Sequence, residues 1–336
     1  VGGGCDSYPS PRPRRALCAI RRVFGGCALR SPRPQCALTR EYTMERELWI
    51  VIRRGLRTLP RRRVRNAVYT DEQVLAVLLW AALHQRPVSW ACKRSSWPVQ
   101  AWRRELPDQS TMSRRLRDPV IPGLMRRLAQ RIQRDLPPGR VLMTDGKAFM
   151  LEDRTHDRDA SVGRGSGRFA RGYKLHAIVD DHHRVCAWGV MPLNHAEQCQ
   201  TRALLGELRG ERRAGRRLLL GDAGYNSNRL FAAARGAGLR LLAPRCKPNT
   251  GLGWRKHDRD RLSSMRLIEQ RGGWMGRMLF GLRTSVERYF AGLSSGVVSG
   301  GHLPPWARRL HRVRCWIDAK VIINAARVVR NQSIHA

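Results

Sequence analysis

Val141-Leu142-Met143-Thr144-Asp145-Gly146 is the stretch whose reading decides the fold. Its first four residues make a short, buried type of strand, and the strand runs out on a carboxylate followed by glycine. Leu218-Leu219-Leu220-Gly221-Asp222-Ala223-Gly224 has the same shape: an apolar run, then an acid among glycines. Between the two, residues 173–179 and 185–191 alternate as strands. The polar turn Asp180-Asp181-His182-His183 separates them, which predicts a hairpin. Helices are expected over 196–208, 226–235, 278–293 and 305–329, with a further strand over 239–243. Residues 244–276 are basic, glycine-rich and poorly patterned. Strands followed by alternating strand and helix imply an α/β domain over 140–330, a mixed sheet with flanking helices.

Residues 44–136 read differently, as a small all-α region. Thr70, Asp71 and Glu72 supply a cap and an acidic first turn for the apolar helix that follows. Asp108 or Ser110 can cap a helix presenting Thr111, Ser113, Arg114 and Arg117, which suits DNA contact in a helix-turn-helix-like arrangement. The competing reading is an ordinary solvated basic helix. Pro137-Pro138-Gly139 marks the linker to the sheet. Residues 1–43 look foreign to the remainder. They hold two Pro/Arg-rich patches and four of the nine cysteines, with no methionine before Met44. They read as a flexible basic tail, either translated from a non-standard start at Val1 or upstream sequence carried along.

The 336 residues carry 64 Lys+Arg against 26 Asp+Glu, a net charge of +38. Of those cations 58 are arginine. A GC-rich gene explains arginine in place of lysine, but not acids outnumbered more than two to one. Such a surface attracts polyanions, and nucleic acid is the expected partner. No apolar run is long enough to span a bilayer. The cysteines are odd in number and never spaced Cys-x-x-Cys, which excludes a small disulfide scaffold and fits reduced thiols in the cytoplasm.

In so basic a chain, an acid at a strand terminus invites a chemical reading. Asp145 and Asp222 each leave a strand among glycines that admit a phosphate backbone closely. Glu287 lies in Arg283-Thr284-Ser285-Val286-Glu287-Arg288, one helical turn after Arg283 on the same face. Carboxylates of this kind suit hard divalent cations, and two ions can assist phosphoryl transfer. Singly, each acid has a plain explanation: Asp145 and Asp222 as turn caps, Glu287 as the partner of Arg283.

Together these residues resemble bacterial insertion-sequence transposases with an Asp-Asp-Glu site on a ribonuclease-H-like fold. Thr144-Asp145-Gly146 is similar to the first acidic motif. Gly221-Asp222-Ala223-Gly224-Tyr225 is similar to the second, and Gly172-Tyr173-Lys174-Leu175-His176 to the second strand. Arg283 with Glu287 resembles the Tyr-Arg-Glu-Lys signature, although Phe280 stands at its Tyr position and Ser294 at its Lys position. The resemblance implies a catalytic domain at 140–330 that cuts the ends of an insertion element and joins them to target DNA. It implies Asp145, Asp222 and Glu287 as catalytic ligands of two Mg²⁺ ions, with Mn²⁺ as substitute. Arg283, Lys174, Tyr173, Arg114 and Arg117 are the expected DNA contacts. The expected partner is double-stranded DNA, terminal repeats and target, held by a homodimer in the cytoplasm at the nucleoid. The rival expectations are an inactive DNA-binding remnant and a nuclease of the same fold that does not join strands.

Overall fold

The computed structural model of the chain describes residues 35–62, 67–99, 101–102, 104–152, 156–165, 167–208, 217–247, 251–252, 256–269, 274–294 and 303–335. Two compact units divide it, Val1–Tyr42 and Thr43–Ala336. Most of the expected tail, residues 1–34, lies outside the described residues. The backbone is already helical at Gln35, where α1 (Gln35–Arg57) begins. Pro34 is the last proline of that segment, so no proline interrupts the helix that follows.

Helix α2 (Asp71–Leu83) starts as its sequence predicts. Thr70 Oγ1 accepts from Gln73 N at 3.2 Å, and Gln73 Oε1 accepts from Thr70 N at 2.8 Å, a reciprocal cap. The helix is apolar on all sides and is buried accordingly, with Val74, Leu75, Val77 and Leu79 fully covered. Trp80 stacks on Trp97 with ring centroids 4.6 Å apart and meets Trp49 edge-on at 4.9 Å. Then come α3 (Val88–Ala91), a single turn, and α4 (Gln109–Arg115). Asp108 caps α4, accepting from Thr111 N at 2.8 Å. Helix α5 (Val120–Ile132) completes the region.

Six strands form one sheet: β1 (Val141–Met150), β2 (Ser161–Gly165), β3 (Arg168–Asp180), β4 (Val185–Pro192), β5 (Arg217–Leu220) and β6 (Leu239–Leu242). β1 lies between β3, which is antiparallel to it, and β5, which is parallel; β6 runs parallel outside β5. β2 and β4 both pair antiparallel with β3. An antiparallel hairpin beside a parallel trio is the ribonuclease-H-like mixed sheet. Helices α6 (Glu197–Leu208), α7 (Asn228–Gly236), α8 (Arg259–Glu269), α9 (Trp274–Ser294) and α10 (Leu310–His335) complete the chain.

Strand alternation feeds two cores. Leu142 and Ile178 enter one with Leu204, Leu205, Tyr225 and Phe231, under α6 and α7. Met143 and Val179, their immediate neighbours, enter the other with Val286, Tyr289 and the apolar side of α10. That second core also takes in α2 and α5. Helix α10 touches α2, α5, α9 and β4. Its Asp318 Oδ1 accepts from Trp188 Nε1 on β4 at 2.8 Å. Its Lys320 Nζ donates to Ala82 O, near the end of α2, at 2.9 Å.

Three features differ from the sequence reading. Strand β1 does not stop at Asp145, because β3 keeps pairing with it as far as Met150. Strand β2 was not expected: its Ser161-Val-Gly-Arg-Gly165 is short and glycine-rich, and it exists by pairing with the start of β3. Helix α8 occupies part of the segment that looked unpatterned. Among the described residues, no helix is long and apolar enough to cross a membrane.

Candidate active site

The β1–β5 register explains how two distant aspartates meet. Val141 pairs with Leu218, Leu142 with Leu219 and Met143 with Leu220. Carried two residues further, the same register sets Asp145 level with Asp222. Asp145 sits at the point where β5 has ended and only β3 still flanks β1. Its Oδ1 accepts from Gly146 N at 2.8 Å. Burial pushes its carboxyl up to about 6; the Gly146 N–H opposes this, the charges of Asp222 and Glu197 add to it, and the Arg283 guanidinium opposes it. Asp222 caps the one-turn helix Ala223–Tyr225, its Oδ1 accepting from Gly224 N at 2.7 Å.

Glu287 approaches from another element. Val286, Tyr289 and Phe290 bury one side of α9, which leaves Glu287 on the exposed side with its side chain 56% exposed. It accepts from Arg283 at 3.2 Å, across one helical turn. Glu287 lines a cavity of about 660 Å³ together with Gly146, Lys147, Arg164, Lys174 and Glu197. Asp222, Glu197 and Arg283 thus lie near enough to Asp145 to act on its charge, and Glu287 lines the cavity that Gly146, the residue after Asp145, also lines. Among the described residues, no three His, Cys, Asp or Glu side chains are grouped closely enough to hold one metal ion as they stand.

Of the expected DNA contacts, Arg114 and Arg117 are exposed, at and just beyond the end of α4. Arg283 is spent partly on Glu287. Lys174 lines the cavity, paired with Glu197 at 2.7 Å. Tyr173 is corrected: it is wholly buried and its hydroxyl donates to Asp157 Oδ2 at 2.8 Å, so it cannot meet a DNA surface. Adjacent strand residues face opposite sides, and at 173 and 174 only the second faces the cavity.

Glu197 is the residue the sequence reading missed. An acid in the first turn of a helix has an ordinary explanation in the helix dipole, so its type and position carried no special signal.

The chemistry of the donors fits hard cations: the carboxylates here are oxygen ligands, and Asp145 is pushed toward its neutral form in part by neighbouring acids that a cation would offset. The glycines beside them leave room, since a Cβ on Gly146 would lie 2.9 Å from Lys174 Cδ and 3.2 Å from Glu197 Oε1.

The ribonuclease-H-like sheet thus carries one aspartate on β1 and a second just past the end of its parallel neighbour β5. Residues 137–303 match the family model described as "Transposase DDE domain", and that segment belongs to this family. Among solved structures, the chain is similar to a piggyBac transposase in a synaptic complex with hairpin DNA. Identity is 12%, the match covers 86% of this chain and 76% of that one, and the TM-score is 0.40. No curated protein matches.

Proposed function

We propose that the chain is a DNA transposase that cuts the ends of an insertion element and joins them to target DNA by metal-dependent phosphoryl transfer. The observation that carries this reading is that Asp222, just past the end of β5, acts on the charge of Asp145 on the neighbouring parallel strand β1, inside the segment that matches the transposase family.

Asp145, Asp222 and Glu287 are the residues that would hold Mg²⁺ or Mn²⁺. When bound, a pair of such ions supplies activation of the attacking oxygen and stabilisation of the leaving one. The chain's own residues do the positioning. Gly146 N–H and Gly224 N–H each fix one aspartate oxygen, so the carboxylates are presented rather than free to swing. Arg283 orients Glu287 along the exposed side of α9. Lys174 keeps a cation on the cavity wall.

Double-stranded DNA is the substrate this surface fits, and two element ends acting together call for a homodimer. Besides Arg114 and Arg117, the β2–β3 ribbon offers a docking edge. Phe169 is 78% exposed there, opposite Arg164 in register and next to Arg168. Exposed cations with an exposed ring suit phosphates and base edges.

Incubation of the protein with Mg²⁺, labelled element ends and a target plasmid tests the reading. Joined products are expected, and Asp222→Asn should abolish cleavage while sparing DNA binding. Cut but unjoined ends would make the protein a nuclease, and binding without cleavage would make it an inactive remnant.

A further inference from the structure

A second cavity, sharing no lining residue with the first, lies where α2, α3, α4 and the start of α10 meet. Its volume is about 210 Å³, far above the roughly 10–15 Å³ that one water needs. Its floor is apolar: Leu78, Met112 and Trp316 line it and are buried. Trp306 also lines it but is 37% exposed, and its ring meets Trp316 edge-on with centroids 6.1 Å apart. A large ring left this far in solvent at the edge of a cavity is a platform on which a flat ligand can stack.

The polar part of the wall decides what that ligand is. Ser89, Gln109 and Ser113 bring hydrogen-bonding ends to a mainly apolar lining, the usual make-up of a small-ligand pocket. Arg312 lines the cavity and is exposed. Ser113 and Leu116 line it from the α4 side, and the residue after each is an exposed arginine, Arg114 and Arg117. The charge of Arg117 reaches the wall itself. Burial lowers the pKa of His311, another lining residue, and Arg312 and Arg117 lower it further, with Asp159 opposing. Among the described residues, no acidic side chain lines the cavity. An apolar slot with an aromatic wall, a few hydrogen-bonding ends and a cationic rim matches a nucleobase joined to its phosphate. An apolar peptide would make no use of the arginines, and a paired base is held inside the duplex stack.

We propose that this cavity receives an unpaired nucleobase of a DNA strand, stacked on Trp306, with Arg117 and Arg312 meeting the flanking phosphates. The cavity then fixes which nucleotide sits against α4. This rests on the reading of the chain as a DNA-processing protein, and its test separates the two.

Three labelled DNAs of equal length are titrated into the full chain: a single strand, the same strand with its central bases replaced by abasic sites, and the duplex. The base-bearing strand should bind at least about fivefold tighter than the abasic one, the lower end of what stacking on an aromatic side chain gives. Trp306→Ala should erase that difference while the abasic strand binds as before, and Trp306→Phe should keep most of it. Ser113→Phe, which fills the cavity from the α4 side, should erase it too. Equal binding of the two strands by the wild-type chain overturns the proposal without any variant. So does a difference that survives in Trp306→Ala. A chain that sediments as a dimer without DNA, and as a monomer in Trp306→Ala, would mean that a second copy covers the cavity, which also overturns it. Duplex binding with no gain from bases removes only the cavity. Loss of binding to all three DNAs removes the DNA reading of the chain as well.

Discussion

At Gly221 the absent side chain is what lets Tyr225 fold back beneath the Asp222 turn. A Cβ there would stand 2.9 Å from Tyr225 Cβ and 3.0 Å from its Cγ, against a ring root that cannot swing aside. Gly221→Ala should therefore cost about 1–3 kcal/mol, the usual range for overpacking, read as a lower midpoint in urea. Asp318 gives a pH signature. Burial pushes its carboxyl up to about 6, while the Trp188 N–H opposes the shift. Because the folded value lies above the ordinary 3.8, the folded chain holds this proton more tightly than the unfolded chain does. Its stabilising contribution is complete below about 4 and is lost as pH rises through about 6. Asp318→Asn keeps an acceptor for Trp188, so it should raise the unfolding temperature at pH 7.5 and change it little at pH 4. At this scale the sequence was informative where local chemistry was unusual. Asp145 and Asp222 stood out as acids ending apolar strands. Glu197 did not, since helix starts favour acids in any protein. Tyr173 was misassigned because β3 is covered on both faces over much of its length, and alternation alone does not say which side a cavity opens on.

Among the elements, α2 was the most legible, because its cap and apolar run agree with one another. Thr70→Ala removes the side-chain half of the reciprocal cap, the Oγ1 that accepts from Gln73 N, and should lower stability by about 1 kcal/mol, measurable by chemical denaturation. The β2–β3 ribbon was the least legible. Gly163 packs against the Leu193–Asn194 backbone, where a Cβ would meet Leu193 C at 2.8 Å, so the strand persists through a close backbone approach that propensity does not register. Its exposed side makes a second prediction. Replacing Arg164 and Arg168 with alanine together should weaken duplex binding and flatten its salt dependence, with thermal stability held near wild type. Unchanged binding in a filter or fluorescence titration would remove the ribbon from the DNA path.

For the molecule as a whole, a net charge of +38 means that DNA affinity should fall steeply with salt. If about six or more phosphates are neutralised, the loss between 50 and 200 mM salt is roughly a thousandfold or greater. A shallow dependence would mean that few of the arginines face the duplex. The mixed sheet was readable from strand order and spacing. The long reach of α10 was not, because its contacts with α2 and α5 join residues far apart in sequence. The split destination of Leu142 and Met143 has an evolutionary corollary. A run of apolar letters leading to an acid can be respelled at little cost, leucine for valine or methionine, since either core accepts them. Inserting or deleting one residue would exchange the two cores and turn the acid away from its neighbour. Lineages of this chain should therefore drift in the letters of that run while its length stays constant.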